Sequence, residues 1–438
     1  MLFRNQLSDN IMIQNSNPAA YLKTAKNGLQ CAFLKYHSGL STIGVALKIG
    51  SQDSKQSGQT FLTLQSKLFD AIKSPEEAFK YGITPTLRAF NDYSVVHLQF
   101  IPECAPLAQS VLKTFLSKEN PTHPSIIRSR YEMNNMQLFG LLQPQDILLS
   151  LAHSASFGSK DINTYTENAL NVNPSQEIIS SLQSRIIPFA SSDMETNLLN
   201  IVNSLSFTDS KFDILPQRQL TRFRPGEITR AASKSMVSGS KLIQHINMSH
   251  AAFSFPAPSA SHDDFYTFTV LERLFGGGSH FSSDGYGVGH LSLLHSQLLG
   301  RFFIEEARTV YTPGLHNGLL SFWFKADSNI FQNISRRLKK ILYKATDNSL
   351  DNVIIEAAKE QAILNYLKSI DGGSDLFVDF GCRLIAQRKT RSSKEIIQKL
   401  ENVSKDDVIR CAKKFLQSNP SIVLLGKGNI RSLSSPWM

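Results

Sequence analysis

Apolar-rich runs at 29–36 and 41–49, separated by His37-Ser38-Gly39, predict two strands joined by a turn. Phe61, Leu64, Leu68 and Ile72 then recur at helical spacing. Two further runs, 83–90 and 93–101, predict a hairpin turning at Asn91-Asp92, and helical patterns follow at 104–118, 122–142, 144–156 and 175–187. The second half repeats this order. A strand over 245–255 precedes a helix over 263–275. A hairpin over 307–312 and 317–326 turns through Pro313-Gly314, and helices follow at 329–345, 350–369, 373–388 and 404–417 before a last strand at 421–425. Ser349 and Ser404 are expected N-caps, with Asp407 completing a capping box at the latter.

The two hairpins also match in sequence. Arg88-Ala89-Phe90 is answered by Arg308-Thr309-Val310, and Leu98-Gln99-Phe100 by Phe322-Trp323-Phe324. The matched order predicts two similar α+β domains, each a mostly antiparallel sheet packed against helices. The expected boundaries are 21–207 and 239–438, with the polar, basic stretch 208–238 as linker. Ile186-Ile187-Pro188-Phe189 runs quickly into another helix, so the first domain is expected to lack its closing strand.

Composition narrows the classes. The chain has 438 residues, 41% hydrophobic and 19% charged, which suits globular cores and excludes a disordered, collagen-like or coiled-coil chain. The most apolar stretch, 286–304, is broken by His290, His295, Gln297 and Arg301, and no membrane span is expected. Cys31, Cys104, Cys382 and Cys411 form no CxxC pair, so buried free thiols are expected rather than a disulfide scaffold or cysteine zinc site. The net charge of +10 is spread along the chain; its densest group, Arg336, Arg337, Lys339 and Lys340, falls on one predicted helix and reads as a solvated face. No aromatic RNA-binding signature accompanies it, and no nucleic-acid partner is expected. Residues 1–20, poor in acid, read as either a short targeting segment or a disordered start.

The concentrated chemical signal lies at 276–289, where six of the 24 glycines fall. Glycine loses the most entropy on ordering, so the cluster needs a reason. A phosphate-cradling loop requires GxxxxGK[ST], or GxGxxG after a strand. Here Gly285-Tyr286-Gly287-Val288-Gly289 has the wrong spacing and follows a helix. A flexible linker, or a mobile loop offering its backbone to an extended peptide of variable sequence, remains.

The run from Leu274 to Gly289, Leu-Phe-Gly-Gly-Gly-Ser-His-Phe-Ser-Ser-Asp-Gly-Tyr-Gly-Val-Gly, resembles the glycine-rich loop of alpha-type processing-peptidase subunits in the pitrilysin (insulinase-like) metallopeptidase family. Lys26-Asn27-Gly28-Leu29, Lys48-Ile49-Gly50-Ser51, the hairpin 311–324 and the strand 420–426 resemble further family segments. At the loop's usual Lys, Met and Arg positions this chain has Val288, His290 and Leu293. Catalytic family members carry His-x-x-Glu-His on one helix, with the imidazoles binding zinc and the Glu acting on zinc-bound water. The matching positions here are Phe61, Leu64 and Gln65, so no metal site and no catalytic residue is expected in this chain. His280, His290 and His295 are not spaced to stack on one helix face, and Glu103, Glu132, Glu356 and Glu360 have no apparent partner for acid–base work, so they are expected as solvated helix residues.

The resemblance implies a duplicated metallopeptidase-like fold. It also implies a non-catalytic, substrate-recognising subunit of a heterodimer that removes N-terminal presequences in the matrix of a mitochondrion or a related organelle (hydrogenosome or mitosome). Zinc would reside in a beta-type partner bearing HxxEH. Implied substrate-binding residues are Gly276, Gly277, Gly278, Ser279, Phe281, Ser282, Asp284, Gly285, Tyr286, Gly287 and Gly289. Two alternatives stay open: a structural core subunit of the respiratory cytochrome bc complex, and a presequence-binding scaffold without a peptidase partner.

Overall fold

The computed structural model describes residues 20–36, 39–53, 56, 58–72, 78, 80, 82–138, 144–158, 171–205, 222–230, 248–276, 292–298, 304–348, 350–371, 373–387 and 391–437. The start segment lies outside these apart from residue 20, as do Ser349 and all of the linker except 222–230.

The strands are β1 (Ala20–Thr24), β2 (Gln30–Leu34), β3 (Ser41–Leu47), β4 (Thr84–Ala89), β5 (Ser94–Phe100) and β6 (Ile186–Ser191), then β7 (Glu227–Arg230), β8 (Met248–Ala257), β9 (Ile304–Pro313), β10 (Gly318–Asp327) and β11 (Ser421–Leu425). They form two sheets, ordered β1-β2-β6-β3-β5-β4 and β7-β11-β8-β10-β9. Removing edge strand β1 makes the two orders equivalent. In each sheet one pair is parallel, β2 with β6 and β7 with β11, and the other pairs are antiparallel. The duplication expected from the two hairpins is therefore a duplication of topology.

Two expectations change. The closing strand of the first half exists: β6 lies inside the sheet, between β2 and β3. Pro188 hid it, because proline lacks an N–H and is rare within sheets. The strand tolerates Pro188 because pairing with β2 begins only at Phe189. The helix expected over 175–187 is correspondingly short, ending before β6 starts at Ile186. Within the stretch expected as linker, β7 pairs with β11 and is the second-sheet counterpart of β2.

The helices of the first half are α1 (Gln59–Ile72), α2 (Ala105–Phe115), α3 (His123–Leu138), α4 (Pro144–Phe157), α5 (Gln176–Ser181) and α6 (Glu195–Ser204). The second half has α7 (Phe265–Phe275), α8 (Leu293–Gln297), α9 (Phe331–Lys344), α10 (Asn352–Asp371), α11 (Gly373–Gln387), α12 (Ser393–Glu401), α13 (Lys405–Phe415) and α14 (Ile430–Ser434). Ser404 and Asp407 form the expected capping box at α13, satisfying backbone donors that the first turn leaves free.

One face of each sheet packs on helices of its own half. Ile43, Val45 and Leu47 of β3 meet Leu64 and Leu68 of α1, Phe115 of α2 and Leu198 of α6. Phe253, Phe255, Phe322 and Phe324 meet Leu271 and Phe275 of α7, Leu338 of α9 and Phe415 of α13. The opposite faces are covered by exchange. Helix α11 lays Phe377, Phe380 and Leu384 on Ala32, Ala46, Val95 and Phe189 of the first sheet. Helix α4 lays Ile147, Leu148, Leu151 and Ala152 on Ala252, Leu319, Trp323 and Val423 of the second. Full burial of such side chains contributes roughly 1.5–3 kcal/mol each, so the exchange ties the halves into one unit.

Candidate functional site

The helix that would carry the zinc motif is α1, and it packs against α3. Leu64 is fully buried in the first-half core. Phe61 is half-buried and rests on Leu62, Met133 and Val172. Gln65 is buried, and its amide donates to Glu132 Oε2 of α3 at 2.9 Å. Glu132, expected as a solvated helix residue, instead contacts Gln65 and Arg128, the latter one turn earlier on the same helix and 3.7 Å away. Burial raises the Glu132 carboxyl above its ordinary range, and Arg128 opposes that shift. The Arg128 guanidinium also lies 4.0 Å from the centre of the Phe69 ring. The i,i+4 spacing of Arg128 and Glu132 was available in the sequence; the contact with Gln65 was not.

Residues 172–175 cover this helix. Ser175 N–H donates to Thr63 Oγ1 at 2.9 Å, and Arg130 of α3 donates to the Val172 carbonyl at 2.7 Å. These residues do not fit zinc. Phe61 and Leu64 offer no donor atom; the Gln65 amide nitrogen is committed to Glu132, and its amide oxygen, which has no hydrogen-bond partner among the described residues, is a single donor where zinc needs two imidazoles. An amide–carboxylate pair between α1 and α3 holds two helices together and is not the imidazole set that binds a water-activating zinc.

The second candidate is the base of the glycine-rich loop. Of the implied substrate-binding residues the structure describes Gly276; Gly277, Gly278, Ser279, Phe281, Ser282, Asp284, Gly285, Tyr286, Gly287 and Gly289 lie outside the described residues. Gly276 ends α7 at φ 131°, a conformation that side chains disfavour. Its N–H donates to the Glu272 carbonyl at 3.1 Å, and its carbonyl accepts from Thr309 N–H of β9 at 3.2 Å. A Cβ at this position would lie 3.2 Å from Ser292 Oγ. Ser292 in turn caps α8, accepting from His295 N–H. The chain therefore leaves at Gly276, which is pinned to β9, and returns at Ser292 beside it.

Beneath this base, Glu272 accepts from Tyr311 N–H at 3.2 Å and lies 3.6 Å from Arg273. Burial raises its carboxyl, opposed by Arg273 and by that N–H. Glu305 and Glu306, at the start of β9, are held by Lys325 and Arg308 respectively. These supporting residues carried no sequence signal, because strand register joins them.

The chain matches curated proteins over part of its length. Over 182 residues it is 29% identical to the human mitochondrial-processing peptidase subunit alpha, covering 41% of this chain and 34% of that one. Its curated homologues include mitochondrial-processing peptidase alpha subunits. The match spans about a third of that relative's length. A longer, weaker match is to human cytochrome b-c1 complex subunit 2, 21% identical over 424 residues, covering 91% of this chain and 88% of that one. In fold, the chain is similar to the crystal structure of a protease from Helicobacter pylori, with a TM-score of 0.74 at 13% identity, covering 94% of this chain and all of that one. The duplicated α+β architecture is thus a peptidase-like fold. No family model matches the chain.

Proposed function

We propose that this chain is the non-catalytic, substrate-recognising alpha-type subunit of a heterodimeric processing peptidase, acting on presequences in the matrix of a mitochondrion or a related organelle. The observation that carries the reading is the helix α1, which has Phe61 and the Glu132-bound Gln65 at the two histidine positions of HxxEH and Leu64 at the glutamate position. The similarity to processing-peptidase alpha subunits supports it. Cleavage would belong to a beta-type partner bearing HxxEH and zinc.

The loop closed at Gly276 and Ser292 would handle the precursor. Gly276, Gly277, Gly278, Gly285, Gly287 and Gly289 would expose backbone, Phe281 and Tyr286 would offer apolar contact, and Ser279 and Ser282 hydrogen bonds. Asp284 would attract a presequence arginine, worth under about 1 kcal/mol for one exposed pair. Because the chain carries +10, and Glu305 and Glu306 already hold cations, most attraction for a basic presequence would come from the partner.

The test is cleavage of a fluorescent basic precursor by this chain alone, by an HxxEH-bearing relative from the same organism, and by both. Cleavage confined to the mixture, abolished by a chelator or by deleting 277–291, is the expected result. A mixture no faster than the relative alone overturns the reading. One observation favours a second reading, a structural core subunit of a cytochrome bc complex: the match to the b-c1 subunit spans 91% of the chain. Co-purification with cytochrome b, and no effect of the loop deletion, would support it.

A further inference from the structure

Helix α9 closes the outer layer of the second half, and its two faces differ sharply. Phe331, Ile334, Leu338, Ile341 and Leu342 are buried in the core. The other face carries Arg336, Lys340 and Lys344 at successive i,i+4 positions, all exposed, with Arg337 beside them. At 1.5 Å per residue this row is about 12 Å long and straight. The helix contains no Asp or Glu; the next carboxylate, Asp347, comes only beyond its end. Tyr343 stands 52% exposed next to Lys344.

The fifth cation of the helix is committed elsewhere. Lys339 donates to the Pro436 carbonyl at 2.7 Å and lies over the Trp437 ring. It thereby fastens the C-terminal segment, including α14, along α9. Arg431, exposed on α14, belongs to the segment fastened in this way. Among the described residues, Arg336, Arg337, Lys340, Lys344 and Arg431 enter no ion pair. The arrangement contrasts with Glu305, Glu306 and Asp264, whose charges are each met by a cation within the chain.

We propose that the exposed face of α9, with Arg431, is a docking surface for an anionic membrane. A row of cations along one helix face, without an ion pair among the described residues, suits a broad layer of lipid headgroups, whereas a discrete phosphate would need converging donors. Tyr343 at the end of the row matches the preference of tyrosine for the headgroup level. The apolar face of α9 is spent on the core, so the attachment is electrostatic, peripheral and reversible. Each cation near an anionic leaflet strengthens binding about fivefold, and the contribution decays within a Debye length. This docking does not depend on the processing role.

The test is co-sedimentation of the full chain with vesicles of phosphatidylcholine alone and of phosphatidylcholine with about one third phosphatidylserine. Expected is binding to the anionic vesicles only, released by molar salt. Arg336→Gln, Lys340→Gln and Lys344→Gln together should weaken it about a hundredfold. Neutralising Lys394, Lys399 and Lys413 on other helices changes net charge equally and should cost far less. Equal losses in the two triple variants would mean unspecific attraction and overturn the proposal. So would absence of vesicle binding, or vesicle binding unchanged in the α9 variant; loss of a protein partner in that variant, without vesicle binding, would reassign the row to an acidic protein surface. Circular dichroism of each variant separates loss of binding from loss of fold.

Discussion

The two exchanged helices solve the same packing problem with the bulk on opposite sides. On the first sheet the strands offer Ala32 and Ala46 around a single aromatic, Phe189, and α11 brings Phe377 and Phe380 to stack and edge against it. Gly381 lets that helix approach: a Cβ there would sit 2.9 Å from a Val95 methyl. On the second sheet the strand supplies Trp323, and α4 answers with Ile147, Leu148, Leu151 and the small Ala152. Each interface also buries a histidine that reaches across the exchange, His97 bonded to Ser374 of α11 and His153 of α4 bonded to Thr312. Duplicated topology therefore constrains where helices go and how much volume they fill, while leaving open which partner supplies that volume.

That contrast can be broken by mutation. Phe377→Ala should cost about 3–5 kcal/mol in denaturant unfolding, since it empties an aromatic site that the small strand residues cannot refill. Leu148→Ala on the other interface should cost about 2–5 kcal/mol, at the lower end because Trp323 can relax toward it. A costlier Leu148→Ala would show that bulk on the helix and bulk on the sheet are not equivalent.

Acid should loosen both interfaces together. Burial depresses His97 and His153 to about 4, as it does His250, with Arg88 adding to the shift at His97 and Lys325 at His250. A histidine depressed in the folded state takes up its proton more readily when unfolded. The stability it lends is complete above about pH 6.5 and is lost as pH falls from there toward 4, on the order of 3 kcal/mol per histidine. Unfolding free energies measured between pH 8 and pH 4 should fall accordingly, and Asn at both 97 and 153 should flatten the slope. A flat profile in the unsubstituted chain would contradict buried, neutral histidines at these contacts.

Smaller effects sharpen the difference between the halves. Glu132→Ala leaves the buried Gln65 amide without its acceptor and should cost about 1–3 kcal/mol. It should leave zinc content, measured by atomic emission, unchanged. Removing the cap with Ser404→Ala should cost about 1 kcal/mol in the second half and leave the α1–α3 contact untouched.

Much of this was legible in the residues. The strand at 421–425, both hairpins, the Ser404 cap and the missing imidazoles of α1 follow from local pattern, because period, turn chemistry and donor atoms are properties of a short segment. Strand β6 was not legible: Pro188 argues against a strand until the register shows it preceding the β2 pairing. Strand β7 was hidden in a polar stretch, since four residues paired on one edge need no apolar pattern. Nor did any spacing announce the bond between Gln65 and Glu132, or the base that joins Gly276, Ser292 and β9.

The sequence alone determined that this chain repeats one α+β plan, that its α1 lacks the zinc-binding imidazoles and that six of its 24 glycines gather at 276–289. Only the tertiary structure decided that each half lends a helix to the other's sheet, that Gln65 bonds Glu132, and that Lys339 leaves the α9 row to hold the C-terminal segment. The reason is physical: composition and periodicity are local, whereas partners, burial and the sharing of a face are set by chain segments far apart in sequence that pack side by side.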